Sequence, residues 1–497
     1  MLLIFAILFR QPYNFILKDG TKNHFEQKLD HFDSHSDAKF DQYYYTYQTH
    51  PGTDPQSLVF YLGSEDVPDL DFSYSAIQYA QQTNSTLFSL EHRFFGSSFP
   101  KNQNYSLTKD SLFQYLTTSQ VLNDIACFIN KMKLAFNCQE CTISLFGGGY
   151  LGAIASWFHV KYPHLSTNVI SSSSPIVLQQ TLPSYDEKIY QLINNYNSSC
   201  SKQISSILQT STSDPNLIYV LSESVSNSVL YHSYTPKLIN AICTHLTDST
   251  IDSLTKAVEY SNSELDDTLQ SLDFNSYKNT SINSEYRDYR SWTWLRCTEL
   301  GLWHTSSTDS KSRIRPNIIS EDFFKEVCFD LFDRGMTILD PTIYGNENLI
   351  GTNTIFINAD NDPMNSFSFI NDNDTMVQRF SFNVPNGFRF EDLRETDSQE
   401  SIQARNDAFD QLNRWSHDEL NPADCEHGVR VFGSCVCNEH YGGDRCQHKM
   451  HPEKSFKIVT ILSVAVPTLL LLIIGAGVWF CGKREDNEIG ARPTLYT

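Results

Sequence analysis

One stretch, Thr142 to Pro163 (TISLFGGGYLGAIASWFHVKYP), constrains this chain more than any other. Thr142–Phe146 is a β-branched and aromatic run of the kind that forms a buried strand. Gly147–Gly149 follows as a turn that glycines make without steric cost. Tyr150, Ala153, Ala155, Ser156 and Trp157 then open a helix that must end near Pro163. Strand, sharp turn and helix together form the elbow on which a nucleophilic serine is held between glycines. Here the slot for that serine holds Gly149.

The C-terminal end predicts a membrane anchor. Ile458–Cys481 contains no charged residue, and its 24 residues would span ~36 Å as a helix, enough for a bilayer core. Pro467 and the Gly475/Gly477 pair are tolerated in such helices. Lys483 and Arg484 follow directly and favour a cytoplasmic tail at 482–497, although Lys454 and Lys457 on the other side keep the charge rule from deciding alone. At the other end Leu2–Phe9 is apolar but short, with no basic residue before it and no small-residue cleavage site; residues 1–16 are expected to be a short signal peptide. Five glycosylation sequons, at Asn84, Asn104, Asn197, Asn279 and Asn373, accord with export. The expected topology is single-pass type I, N-terminal region extracellular or lumenal, at the cell surface or an endolysosomal membrane. Lys+Arg 37 against Asp+Glu 58 gives a net charge of −21, which argues against nucleic acid as a partner.

Between these ends, strand and helix signals alternate. Phe40–Tyr47, Ser57–Leu62 and Ser85–Leu90 read as strands, Ser119–Met132 as a helix, and Val169–Pro175 as the strand and turn after the elbow unit. Such alternation predicts a parallel sheet covered on both faces. From 177 to 346 the apolar residues recur at helical intervals, as in a helical domain inserted into the sheet. Gly351–Asp362 restores a strand ending in acidic residues, and Ser398–His417 has the periodicity of a closing helix. The sheet domain is therefore expected in two parts, 25–176 and 347–418.

Residues 425–446 form a separate small module. Cys425, Cys435, Cys437 and Cys446 are spaced x9, x1 and x8, with Tyr441-Gly442-Gly443 before the last, as in the second half of an EGF-like repeat. So short a segment needs disulfides to fold. A zinc site is the alternative, disfavoured by an exported context. Calcium binding is not supported, because two cysteines of a full repeat are absent. Seven further cysteines precede it, Cys127, Cys138, Cys141, Cys200, Cys243, Cys297 and Cys328. Their odd count leaves one thiol or an intermolecular bridge, and their pairing is not assignable from sequence.

Nine motifs in order carry a family resemblance: FEQKLDHFD from Phe25, EHRFFGSSFP from Glu91, YLTTSQVLND from Tyr115, the elbow, KYPHL from Lys161, SSSSP from Ser171, WTWLRCTELG from Trp292, NADNDPM from Asn358 and FEDLR from Phe390. The chain resembles the prolyl carboxypeptidase / dipeptidyl-peptidase II family of serine exopeptidases over about Phe25 to Trp415. That resemblance implies an exported α/β-hydrolase fold with a mainly helical cap inserted before the catalytic aspartate. It also implies peptide substrates with proline or another small residue beside the scissile bond. Neither a metal nor another cofactor is expected.

The mechanism of such a family needs a serine, a histidine base, an orienting aspartate and backbone donors for the oxyanion. The family elbow Gly-Gly-Ser-Tyr-Gly-Gly stands here as Gly147-Gly148-Gly149-Tyr150-Leu151-Gly152, so the nucleophile is lost at Gly149 and Leu151 replaces a small residue. The family's Gly-Ala-His-His-Leu-Asp-Leu-Arg stands as Gly387-Phe388-Arg389-Phe390-Glu391-Asp392-Leu393-Arg394, so both histidine slots are filled, by Arg389 and Phe390. Arginine stays protonated and phenylalanine does not titrate, so neither is a base. Asp362 matches the family aspartate, and an Asp362–Arg389 ion pair would fill the old triad site. The family's Gly-Gly-Glu-Gly loop stands as Gly63-Ser64-Glu65-Asp66, keeping Glu65; Tyr150 keeps a backbone N–H for the oxyanion position. Ser144, Ser171–Ser174, His304 and His417 read as core or surface polar residues rather than substitutes. The expected function is a membrane-anchored, catalytically inactive exopeptidase homologue that binds a peptide or protein ligand. The alternatives are an active serine exopeptidase and an adhesion-type surface glycoprotein.

Overall fold

The computed structural model describes residues 21–48, 57–63, 74–102, 104–212, 214–230, 238–263, 269–344, 352–369 and 379–419, with four short strands between 428 and 449. Residues 1–16 and 458–481, read above as signal and membrane segments, lie outside them, as do Glu65 and Asn373. No helix among the described residues is long and apolar enough to cross a membrane. Two compact units divide the chain at Leu420/Asn421.

An eight-stranded sheet organises the first unit. Its strands are β1 (Thr21–Lys28), β2 (Lys39–Gln48), β3 (Ser57–Leu62), β4 (Thr86–Leu90), β5 (Thr142–Gly148), β6 (Asn168–Ser172), β7 (Thr354–Ala359) and β8 (Arg379–Val384), in the spatial order β1-β2-β4-β3-β5-β6-β7-β8. β2 runs antiparallel to β1 and β4, and every later pairing is parallel. This order, with crossover helices and the sharp turn after β5, is the α/β-hydrolase fold.

Side chains alternate cleanly through the central strands. Leu58, Phe60 and Leu62 of β3 enter one core and Val59 and Tyr61 the other; Leu145 and Phe146 of β5 divide in the same way, as do Phe356 and Ile357 of β7. The first core lies under α2 (Thr118–Ala135) and α3 (Gly149–Lys161), where Phe25, Tyr44, Phe60 and Phe88 all pack on Phe128 of α2. Thr117 starts α2 by accepting the Gln120 N–H on its side-chain oxygen. The second core lies under α1 (Tyr74–Gln82) and α11 (Gln399–Glu419), with Tyr79, Phe146 and Phe409 in mutual contact.

Between β6 and β7 the chain is helical: α4 (Pro183–Tyr196), α5 (Ser198–Thr210), α6 (Pro215–Leu230), α7 (Leu238–His245), α8 (Ile251–Ser263), α9 (Arg287–Leu295) and α10 (Glu321–Phe332). Their apolar faces join the first core without a break, so no separate hydrophobic centre divides them from the sheet. Disulfides Cys200–Cys243 and Cys297–Cys328 staple this region, and Cys138–Cys141 closes a short loop before β5; Cys127 remains a thiol. Asn84, Asn104, Asn197 and Asn279 are all exposed. In the second unit β9 (Gly428–Val431) pairs antiparallel with β10 (Ser434–Cys437), and β11 (Tyr441–Gly442) with β12 (His448–Lys449).

A buried charge network locks the helical region. The Arg315 guanidinium, wholly buried, donates to Asp186 Oδ1 at 3.0 Å and to Glu223 Oε1 at 2.8 Å. Asp186 also accepts the Arg315 and Ser307 backbone N–H groups, and Glu223 accepts from His304 Nδ1 at 3.1 Å. Burial holds His304 down at about 4 against the pull of Glu223, so the imidazole is neutral at pH 7. Removing the central cation would leave two buried carboxylates uncompensated. Arg315→Met is expected to cost ~3–5 kcal/mol, read as a lower urea midpoint at unchanged slope.

Candidate functional site

Four loops meet at the carboxyl ends of the parallel strands, where α/β folds place their sites. They are the turn after β5 at Gly148–Tyr150, the turn after β6 at Ser172–Ser174, the loop after β7 at Asp360–Met364 and the loop after β8 at Gly387–Arg394. The elbow geometry survives without its serine. Gly149 has φ +56°, a left-handed conformation that costs glycine nothing and other residues strain. Two side-chain tips crowd it, and both must shift to admit a side chain. A Cβ built on Gly149 would lie 2.9 Å from Arg389 Nη2 and 3.1 Å from Phe390 Cζ. Arg389 and Phe390 thus crowd the space into which a side chain at 149 would project.

The close approach of strand and helix falls at Gly147 and Gly152. A Cβ on Gly152 would meet Ser174 Oγ at 2.0 Å, and one on Gly147 would meet the Leu151 carbonyl oxygen at 2.4 Å. The requirement for a small residue at 151 is therefore corrected. Leu151 turns into the first core, 3% exposed, because the tight contact belongs to its neighbour.

Asp362 is buried behind the elbow at 2% exposure. Its Oδ1 accepts the Met364 N–H at 2.9 Å, whereas Oδ2 makes no hydrogen bond of standard geometry. Burial raises its pKa, while Arg389, the Met364 N–H, Ser173 and Lys188 pull it back. The expected Asp362–Arg389 ion pair is not formed, since no carboxylate lies within 4 Å of the Arg389 guanidinium among the described residues. The guanidinium lies 4.4 Å from the centre of the Phe390 ring, a cation–π contact. The two charges influence each other only at longer range.

The loop carrying Arg389 and Phe390 is fastened from below. Arg405 of α11 donates to the carbonyls of Asp392 and Arg394, and the Ser75 N–H donates to that of Leu393. The Phe390 N–H reaches Ser173 Oγ at 3.3 Å, and both residues have positive φ, +60° and +49°. Nothing in the residue pattern beyond the serine run itself signals this pairing. Ser171, Ser172 and Ser174 are committed to Gly152 O, Asp392 Oδ1 and Ser172 O. No histidine is hydrogen-bonded to any of these four serines among the described residues. Ser144 is buried within β5, and His304 is held by Glu223. The His417 side chain and Glu65 lie outside the described residues.

Tyr150, 3% exposed, lies beside the elbow. His92 Nδ1–H donates to the Arg93 carbonyl at 2.8 Å, leaving Nε2 to face the Tyr150 hydroxyl at 3.4 Å. Burial holds His92 down at about 4, so it stays neutral. Among the described residues, no group of His, Cys, Asp and Glu gathers as a metal site.

The family model for serine carboxypeptidase S28 matches residues 27–213 and 226–407. Lysosomal Pro-X carboxypeptidase of Bos taurus is 32% identical over 157 residues, 30% of this chain and 31% of that one. The Homo sapiens protein of the same name is 29% identical over 167 residues, 32% of this chain and 33% of its own length. The chain thus spans about a third of the curated Pro-X carboxypeptidases it matches. An Arabidopsis thaliana protein named "Probable serine protease EDA2" is 25% identical over 376 residues, 68% of this chain and 74% of that one. Among solved structures, proline iminopeptidase of Mycobacterium smegmatis aligns with a TM-score of 0.37 at 10% identity, covering 80% of this chain and 99% of that one.

Two predictions follow from the packing and burial described. Gly149→Ala should destabilise by ~1–3 kcal/mol through strain and overlap, and adding Arg389→Ala should recover part of that loss in the same urea titration. Asp392, buried with Oδ2 unpartnered, is pushed up to about 7 by burial. Between its ordinary value near 4 and about 7 the folded state binds the extra proton, so stability falls as pH rises through that window, by up to ~1.4 kcal/mol per unit. Asp392→Asn should remove that slope, measured as the difference in unfolding free energy between pH 5 and pH 8.

Proposed function

This chain belongs to the serine carboxypeptidase S28 family, and we propose that it is a membrane-anchored member that binds peptides or a protein partner without cleaving them. One observation carries the reading: Arg389 Nη2 and Phe390 Cζ stand 2.9 and 3.1 Å from the Cβ position of Gly149, so slot and base positions are jointly occupied by groups with no nucleophilic or basic role. Losing one member of a catalytic triad removes most activity, and losing two that act as a unit leaves little.

The substrate class follows from the relatives' name, Pro-X carboxypeptidase, which points to proline-containing peptides as the ligands to try. The apolar Ile458–Cys481 segment supports a single-pass anchor, with the tail at 482–497 cytoplasmic and the body outside or in an endolysosomal lumen. Residues 1–16 serve as the signal, the exposed sequons carry glycans, and residues 425–446 form an EGF-like stalk closed by disulfides among Cys425, Cys435, Cys437 and Cys446.

The test is hydrolysis of Pro-containing fluorogenic peptides from about pH 4 to 8. Wild type should be silent and should not react with a fluorophosphonate probe. The variant carrying Gly149→Ser, Leu151→Gly, Arg389→His and Phe390→His should gain at least ~10³-fold over wild type. Hydrolysis by wild type that disappears with Asp362→Ala would sink this reading.

A further inference from the structure

We propose that the Cys138–Cys141 disulfide is a thiol–disulfide exchange site, reduced by and re-formed from a dithiol partner that attacks Cys141. The bond lies at the opposite end of β5 from the elbow, and nothing about it depends on peptide binding. Only Gln139 and Glu140 stand between the two cysteines. The entropy that a cross-link removes from the unfolded chain grows with the loop it closes. Cys200–Cys243 and Cys297–Cys328 have sequence separations of 43 and 31, against 3 for this pair. It therefore constrains the unfolded chain least of the three.

The folded chain is held on both sides without it. α2 finishes with the Phe136 N–H on Met132 O at 3.0 Å, the Asn137 N–H on Leu134 O at 3.2 Å and the Cys138 N–H on Lys133 O at 2.8 Å. Asn137, at φ +51°, closes that turn in the left-handed conformation common at helix ends. On the other side Thr142 pairs with Ser57 of β3. The Ile143 N–H donates to Thr167 Oγ1 at 3.1 Å, and its carbonyl accepts the Thr167 N–H at 2.7 Å. Backbone bonds at or next to the cysteines thus tie down both flanks. Opening the S–S bond frees little beyond the two residues it encloses.

The two sulfurs are unequally placed. Cys138 is 3% exposed, whereas Cys141 is partly exposed and follows exposed Gln139 and Glu140. Exchange proceeds by attack of a thiolate on a sulfur it can reach, so it starts at Cys141. A thiolate of the partner bonds to Cys141 Sγ, the Cys138–Cys141 bond breaks, and Cys138 leaves with the electron pair and takes a proton. The partner's second thiolate then attacks the partner sulfur of that mixed disulfide, and Cys141 leaves and takes a proton. Two electrons pass to the pair, and the partner dithiol ends as a disulfide. The reverse steps re-form the bond.

The test is timed reduction of the full-length chain with dithiothreitol in native buffer, quenched with acid, alkylated after denaturation and read by mass spectrometry of the cysteine peptides. Cys138 and Cys141 should become reduced at least ~10-fold faster than Cys200, Cys243, Cys297 and Cys328, with the near-UV circular dichroism unchanged. Reduction in step with the other two bonds, or loss of the near-UV signal with this bond alone, overturns the site. Oxidised glutathione tests the point of attack. Cys138→Ser, which leaves the thiol at Cys141, should form the glutathione adduct at that position at least ~10-fold faster than Cys141→Ser forms one at Cys138. Equal rates, or a faster Cys138, overturn the proposal as well. Cys127, a thiol throughout, is read as its own peptide.

Discussion

The sheet and the helix behind the elbow approach each other at a distance only glycine permits. With Gly152 against Ser174 and Gly147 against the Leu151 carbonyl, α3 lies directly on β5 and β6, and Gly149 through His159 are all buried. That contact sets where the four loops at the strand ends meet. Had either position carried a methyl group, α3 would stand off the sheet, and the loops after β7 and β8 would face a gap. Keeping the elbow packed does not require the serine, since the constraint acts on its flanks.

Charge is used inside this protein as a locating device. Arg93, wholly buried, holds Asp124 of α2 through two nitrogens at 2.6 Å, while His31 reaches the same carboxylate at 2.7 Å. Arg315 does the same for α4 and α6. Such pairs add little net stability over an apolar core, but a misplaced element leaves a buried charge alone, which is costly. Asp362 and Arg389 break this habit. Their charges are near enough to feel each other and are not joined.

Much of the fold was legible in residue periodicity. The β3, β5 and β7 runs are mostly apolar because both faces of a central strand are covered, and α2 and α11 show their spacing plainly. The alternation of Phe380, Phe382 and Val384 in β8 is a weak signal, because it follows an Asn- and Asp-rich stretch that reads as loop. α1 is short, and its marks are weak. At the site, side-chain identity alone says that 149 offers no nucleophile and that 389 and 390 offer no base. It did not reveal direction. The Asp362–Arg389 pair was the natural guess from opposite charges, yet the nearer Phe390 ring captures the guanidinium. The role of Ser173 depends on a positive φ that a serine run does not advertise, and Leu151 was misjudged because the tight contact lies one residue further along.

The packing of Arg389 and Phe390 over Gly149 also ties these positions to one another. A serine restored alone would carry its Cβ into Arg389 and Phe390 on a backbone that strains it. A histidine restored alone at 389 or 390 would face a glycine with no hydroxyl to activate, and would give up the cation–π contact that fills the space. Each single substitution therefore gives a protein that is less well packed at this turn. Gly149, Arg389 and Phe390 are thus packed as one unit of three.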